Sequence, residues 1–206
     1  MSTQTHASFI AAINEGDASQ VSALLRAGVD VNSPGGEFNL PPIQYACWQG
    51  NTKIVRMLAE YGADIDYNGM DEGGPLTFAA ATGNTSLLSC LLDLGAQVDI
   101  RSHRGGETAL HKAVFRNRHE AAELLISHDT DVNAITRSGG HTAMFEGGAK
   151  LRGEGPLHLA AAYADTKMIR ILLAAGADRS LTDDRSESPL AWAGRHRRDN
   201  DILELL

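Results

Sequence analysis

Apolar residues along this chain recur in blocks. A short block opens on an aliphatic residue with a small pair three and four positions on: Pro42-Ile43-Gln44-Tyr45-Ala46-Cys47, Pro75-Leu76-Thr77-Phe78-Ala79-Ala80, Thr108-Ala109-Leu110-His111-Lys112-Ala113, Pro156-Leu157-His158-Leu159-Ala160-Ala161 and Ser188-Pro189-Leu190-Ala191-Trp192-Ala193. The aliphatic residue stands at Ile43, Leu76, Leu110, Leu157 and Leu190, in steps of 33, 34, 47 and 33 residues. After each block, aliphatics return at helical spacing, as in Ile54, Val55, Met57 and Leu58. A third signature closes the unit, as Gly62-Ala63-Asp64-Ile65-Asp66, Gly95-Ala96-Gln97-Val98-Asp99, Asp129-Thr130-Asp131-Val132-Asn133 and Gly176-Ala177-Asp178. Thr108 and Pro156 mark helix starts, because Thr caps free N–H groups and Pro suits a first turn. Gly50 and Gly83 fall between two helices, and Gly62, Gly95 and Gly176 sit past the second, where a left-handed residue is wanted. Each unit therefore predicts helix, tight turn, helix and loop, and the chain is all-α.

A period of about 33 residues with a T-P-L-H-x-A-like block resembles the ankyrin repeat. The resemblance covers nearly the whole chain. Phe9 precedes Ile43 by 34 residues, and Ala12-Ile13, Gly16, Val21, Leu24-Leu25, Gly28 and Asp30-Val31-Asn32 fall in register behind it. The family implies a single solenoid domain of about six stacked units with protruding loops, two of them caps. Their approximate bounds are 1–35 (cap), 36–68, 69–102, 103–135, 150–182 and 183–206 (cap), with an inserted loop at 136–149. No unit can bury its apolar face alone, so stacking is obligatory. The long step places the insertion, rich in glycine, between Asn133 and Pro156.

Composition narrows the function classes. Apolar residues make up 43% of 206, enough for an unaided core, and there is no long apolar run or basic leader. Cytoplasmic residence is the default, with no membrane partner. Cys47 and Cys90 are too few for a disulfide framework or a zinc site and read as free thiols in a reducing compartment. The net charge of −8 lies wholly in residues 1–100, which carry 11 acidic and 3 basic side chains; residues 101–206 balance 15 against 15. Nucleic acid is disfavoured, because phosphate binding needs a concentrated basic face. The acidic half instead suggests a face that mimics a polyanion toward a basic target.

Tempting motifs fail. Asp64-Ile65-Asp66-Tyr67-Asn68-Gly69 imitates a calcium loop, but Pro75 stands where that loop needs its closing Glu. Gly147-Gly148-Ala149-Lys150 lacks the phosphate-loop pattern. His141 and Glu146 have no orienting group or nucleophile at fixed spacing. We assign no catalytic, metal or cofactor residue and read the chain as a binding protein, not an enzyme. His111 and His158 occupy the motif's structural His position. Asn32 and Asn133 resemble Asn sites that some ankyrin proteins have hydroxylated, and we read both as structural, bonding the loop backbone.

The resemblance implies that first helices and loops line a concave surface that binds a partner protein, as adaptor or inhibitor, with the chain itself monomeric. By register that row holds Trp48 and Gln49, Ala81 and Thr82, Phe115 and Arg116, Ala162 and Tyr163, and Arg195 and His196. Aromatics with Arg are the material of binding hot spots. Loop tips add Phe38, Leu40 and Met70 on the acidic half and Arg104, Lys150, Leu151 and Arg152 on the other, with Lys112 continuing the basic side. Met144 and Phe145 form an apolar pair in the insertion, expected to grip the partner or dock on the stack. Tyr45, Phe78, Leu159 and Trp192 are assigned to the core. The alternative is a small-ligand or catalytic protein using the groove beside the 134–154 insertion.

Overall fold

A computed structural model describes residues 3–69, 73–142 and 150–206, with side chains from residue 5 onward. Twelve helices run in six antiparallel pairs among the described residues: α1 (Thr3–Glu15) and α2 (Ala18–Arg26), α3 (Pro42–Trp48) and α4 (Thr52–Glu60), α5 (Pro75–Thr82) and α6 (Thr85–Asp93), α7 (Ala109–Phe115) and α8 (His119–Ile126), α9 (Pro156–Tyr163) and α10 (Thr166–Ala174), α11 (Pro189–Arg195) and α12 (Asn200–Leu205). We number these pairs units 1 to 6. Pro sits in the first turn of α3, α5, α9 and α11. The second helices carry a cap that the repeat motif does not advertise. Asp17, Asn51, Asn84 and Asp165 each accept from backbone N–H groups of the turn they precede.

Odd-numbered helices pack on odd neighbours and even on even, from α1 on α3 to α9 on α11 and from α2 on α4 to α10 on α12. α7 packs directly on α9, so the insertion leaves the stack without interrupting it. The repeated aliphatic explains the cohesion: Ile43, Leu76, Leu110 and Leu157 are at most 2% exposed on first helices that pack on one another. Leu190, in the same register, is 45% exposed, because no seventh unit covers it among the described residues.

Loop tips are tied to one another by a ladder of side-chain amides and carboxylates. Asn32 donates to the Gly62 carbonyl (2.9 Å) and accepts from the Asp64 N–H (2.8 Å). Asp66 takes the Gln97 N–H and side-chain amide, both at 2.9 Å. Asp99 takes the Asp131 N–H (3.0 Å), and Asn133 bridges the Gly176 carbonyl and the Asp178 N–H. Asn32 and Asn133 are therefore structural residues, and part of the acidity of the first half is committed to this ladder.

Glycine takes the left-handed turn wherever the repeat provides it, as at Gly50, Gly83, Gly62 and Gly95. Asn117, Asp129 and Arg197 hold equivalent turns at φ of 53°, 60° and 53°. Asn and Asp tolerate this region, whereas Arg crowds its Cβ against the carbonyl. Arg197→Gly is expected to raise unfolding free energy by about 0.5–1 kcal/mol, the relieved strain exceeding the added chain entropy. An unchanged urea midpoint would contradict it.

Candidate functional site

The C-terminal ends of the first helices form the inner row. Small residues alternate with large ones along it, and this sets how the rings lie. Ala162 sits in register with Phe115 and leaves room beside it, so Tyr163 leans edge-on against that ring, centroids 5.4 Å apart. Tyr163 then meets His196 at 4.9 Å, and His196 stacks on Trp192 at 6.1 Å. A continuous ring ladder thus joins units 4, 5 and 6. Ala81 and Thr82 interrupt it at unit 3. Beyond them a second cluster gathers Phe38, Trp48 and Tyr45, with Trp48 edge-on to both others at 5.4 and 5.5 Å. The Tyr45 hydroxyl donates to the Gly35 carbonyl (2.8 Å) and accepts from the Phe38 N–H (3.1 Å), which holds Phe38 out at 59% exposure.

Of the residues expected to meet a partner, Phe38, Gln49, Arg104 and Arg116 are exposed, and Trp48 and Phe115 are half-buried. Tyr163 is 40% exposed. The rings of Trp48 and Phe115 pack sideways on neighbours and still show an edge to solvent. Arg116 lies over the Phe115 ring at 5.7 Å. The row itself holds two arginines and no carboxylate, so it is not the polyanion-like face that the acidic half suggested.

Four positions differ from expectation. Leu40 is buried, because Gly35 and Leu40 exchange backbone hydrogen bonds at 3.1 Å and fold the loop back onto the core. Lys112 is buried too: its ammonium lies 3.1 Å from Glu107 Oε1, inside the protein. Arg152 is largely covered, its guanidinium 4.8 Å over Trp192 and facing Asp183 (3.8 Å) and Glu187 (3.6 Å). Leu151, expected at a loop tip, is 1% exposed. Met70, Met144 and Phe145 lie outside the described residues. Tyr45, Leu159 and Trp192 are core, and Phe78 is half-buried.

The insertion explains three of these burials, those of Lys112, Leu151 and Arg152. Its two ends pair as an antiparallel stem: Thr136 N–H to Glu154 O, Gly139 N–H to Leu151 O, Leu151 N–H to Gly140 O, and a bridge between His141 and Lys150. The stem lies on the unit 4 loop, with Arg137 N–H donating to Gly105 O at 2.8 Å. The fit is tight, since a Cβ on Gly105 would come within 2.7 Å of Leu151 and 2.9 Å of the His141 carbonyl. Glu107, wholly buried, joins loop, helix and stem. It accepts from Ser102 Oγ (3.1 Å), from the Lys112 ammonium and from Thr142 Oγ1. On the other side Asp184 N–H donates to Arg152 O at 2.7 Å, tying the stem to the unit 6 loop.

The motif histidines face inward. His111 Nδ1 accepts from the Thr108 N–H at 3.1 Å, and burial pushes its pKa down to about 3. His158 Nδ1 accepts from the Gly155 N–H at 3.2 Å, and its Nε2 meets the Glu187 carbonyl at 3.1 Å. Burial takes its pKa down to about 4, with Asp183 opposing the shift and Arg152 reinforcing it. Burial and the positive charges of Arg195, Arg198 and Arg152 lower the pKa of His196, which favours a neutral imidazole in the inner ladder. No group of three or more His, Cys, Asp or Glu able to hold a metal occurs among the described residues. No helix among them is long and apolar enough to cross a membrane.

Sequence reasoning did not single out the continuation of the ladder through His196 and Trp192. Nor did it find the Glu107–Lys112–Thr142 cluster. The ladder was foreshadowed by Trp192 and His196 standing four apart on one helix, the spacing that puts two side chains on one face. The cluster had no such signal, because its donors come from positions 102, 112 and 142.

The protein-family description "Ankyrin repeats (3 copies)" matches residues 8–74 and 66–136, and "Ankyrin repeat" matches residues 152–184. Among curated proteins, an ankyrin repeat protein of fowlpox virus (strain NVSL) is 43% identical over 49 residues. That stretch is 24% of this chain and 7% of the viral protein, so the likeness concerns the repeat and not the whole viral molecule.

Proposed function

The chain belongs to the ankyrin-repeat family, whose repeats are in general protein–protein interaction modules, and on that premise we propose that it binds a partner protein along its inner row and loop tips. The observation that carries this reading is the pair of ring clusters, Phe38 with Trp48 and Phe115 with Tyr163, left partly open on a rigid stack. A spacer would carry polar side chains there. Preformed rings with two χ angles lose little entropy on binding, and Arg116 beside Phe115 adds a directional donor. The action is steric: the stack, a monomer, acts as an adaptor or an inhibitor by occupying a surface of its partner, with no bond made or broken in it. Two buried free thiols, Cys47 and Cys90, support residence in a reducing cytoplasm.

The test is capture of the native partner by wild type and by the Trp48→Ala, Phe115→Ala double variant. Loss of two hot-spot rings weakens binding by at least about 30-fold. Circular dichroism and a thermal scan separate lost contact from lost fold. Arg116→Glu, an exposed change that leaves the rings themselves in place, provides a second variant. Undiminished binding by both variants would reject the inner row.

A further inference from the structure

Among the described residues, the exposed charged side chains of the insertion stem and the unit 4 loop beneath it are all cationic. Arg101, Arg104, Arg137 and Lys150 are exposed on them, together with His103 and His141. The two carboxylates of the described parts of these segments are turned inward. Glu107 is 0% exposed and held by Ser102, Lys112 and Thr142. Glu154 is 2% exposed and held by Thr136 Oγ1 at 3.1 Å and the Arg152 N–H. Two of the arginines are fixed without being neutralised. Arg101 Nη1 donates to the carbonyls of Ile135 and Gly106, and Arg137 Nη1 donates to the His103 carbonyl at 2.9 Å. A carbonyl positions a guanidinium but leaves its charge and its other donors available. Of the nearby acids, Asp99 accepts from Thr130 Oγ1 and the Asp131 N–H, and Asp184 is exposed at the rim, on the unit 6 loop beside Gly153. In a chain of net charge −8, this is a local reversal of sign.

The shelf adjoins the inner row, because Glu107 ties the stem to Lys112 on α7, the helix that ends at Phe115. Resting on the partner reading above, we propose that this shelf receives an acidic segment of the partner protein, an extended stretch rich in Asp and Glu, whose apolar anchor reaches the Phe115–Tyr163 rings. Pre-positioned guanidinium groups match carboxylates in a forked, bidentate geometry. A polyphosphate fits less well, since the adjoining half of the stack is acidic and repels a long uniform anion. First helices lie about 8–10 Å apart, so units 2 to 6 span roughly 40 Å. An extended segment covers that with about 12 residues at ~3.3 Å each.

The experiment uses the full chain and fluorescence anisotropy with two labelled synthetic peptides of about that length. Both carry one Trp and one Leu; one is otherwise rich in Glu and Asp, the other in Lys. The acidic peptide is expected to bind at least about tenfold tighter, and to weaken as salt is raised. Arg104→Glu with Lys150→Glu should abolish or invert that preference, with circular dichroism and a thermal scan to separate lost charge from lost fold. Equal binding of the two peptides, no binding of either, or full retention of the acidic peptide by the charge-reversed variant overturns the inference. Displacement of the acidic peptide by an equally long oligothymidylate at the same concentration assigns the shelf to nucleic acid and overturns it as well. The two readings fail separately. A native partner lost with the Trp48→Ala, Phe115→Ala change yet indifferent to the charge reversal rejects the acidic segment and keeps the inner row. Indifference to both rejects both.

Discussion

Lys112→Ala is expected to cost about 3–5 kcal/mol of unfolding free energy. The Lys112 side chain is 6% exposed and that of Glu107 0%, with nitrogen and oxygen 3.1 Å apart. Truncating the lysine leaves a carboxylate in the interior with hydroxyl donors alone, from Ser102 and Thr142. Breaking one side of a buried pair is far more damaging than replacing both. The double variant Glu107→Gln, Lys112→Met should therefore recover most of the loss. Urea unfolding of the three proteins measures this, and Lys112→Ala within about 1 kcal/mol of wild type would refute the assigned role. Because Thr142 shares the carboxylate, hydrogen exchange at Gly139 and Leu151 should rise in the single variant before the helices loosen.

Moving from pH 7 to pH 5 should remove about 3–4 kcal/mol of stability, about 2 from each motif histidine. In the unfolded chain both take a proton near pH 6.5. In the folded chain burial holds His111 down to about 3 and His158 to about 4. Between those values the unfolded state binds more protons, so stability falls as pH falls below 6.5. The loss continues until the folded values are reached. By pH 5 both folded groups are still neutral, so the size of the drop depends little on how far below 5 each value lies. His158→Gln should halve the pH dependence, whatever it does to stability at pH 7. A flat profile between pH 7 and 5 in wild type would reject the neutral, buried state of both rings. Asp165 acts in a lower window. Although burial opposes it, bonds from Asn117, the Met168 N–H and His119 bring its pKa down to about 2. Its contribution is complete above its ordinary value near 3.8 and disappears as pH falls through 2.

The architecture could be read from the chain because a solenoid repeats its physics. Ile43, Leu76, Leu110 and Leu157 hold the same place in successive units and are buried alike, so each occurrence corroborates the others. The glycine turns, the free buried thiols, the inward histidines and the bridging Asn32 and Asn133 follow from the same register. Local caps at Asp17, Asn51, Asn84 and Asp165 were there to be read as well, recurring before each second helix except at Arg118 and Asp199.

What the sequence by itself determined is thus everything that depends on near neighbours: helix, turn, helix, the order of units and the residues that face the next unit. Only the tertiary structure decided what happens where the repeat is broken. The insertion has no register to inherit, so its course depends on contacts with distant residues. Gly105 admits its stem, Glu107 captures Thr142, and the unit 6 loop takes Arg152. Those contacts moved Lys112, Leu151 and most of Arg152 from the expected surface into the protein. They also turned two carboxylates inward and left four cations outside. Charge counted along a chain shows how much there is. Which of it faces solvent is decided by burial, and burial here joins positions as far apart as 102 and 142.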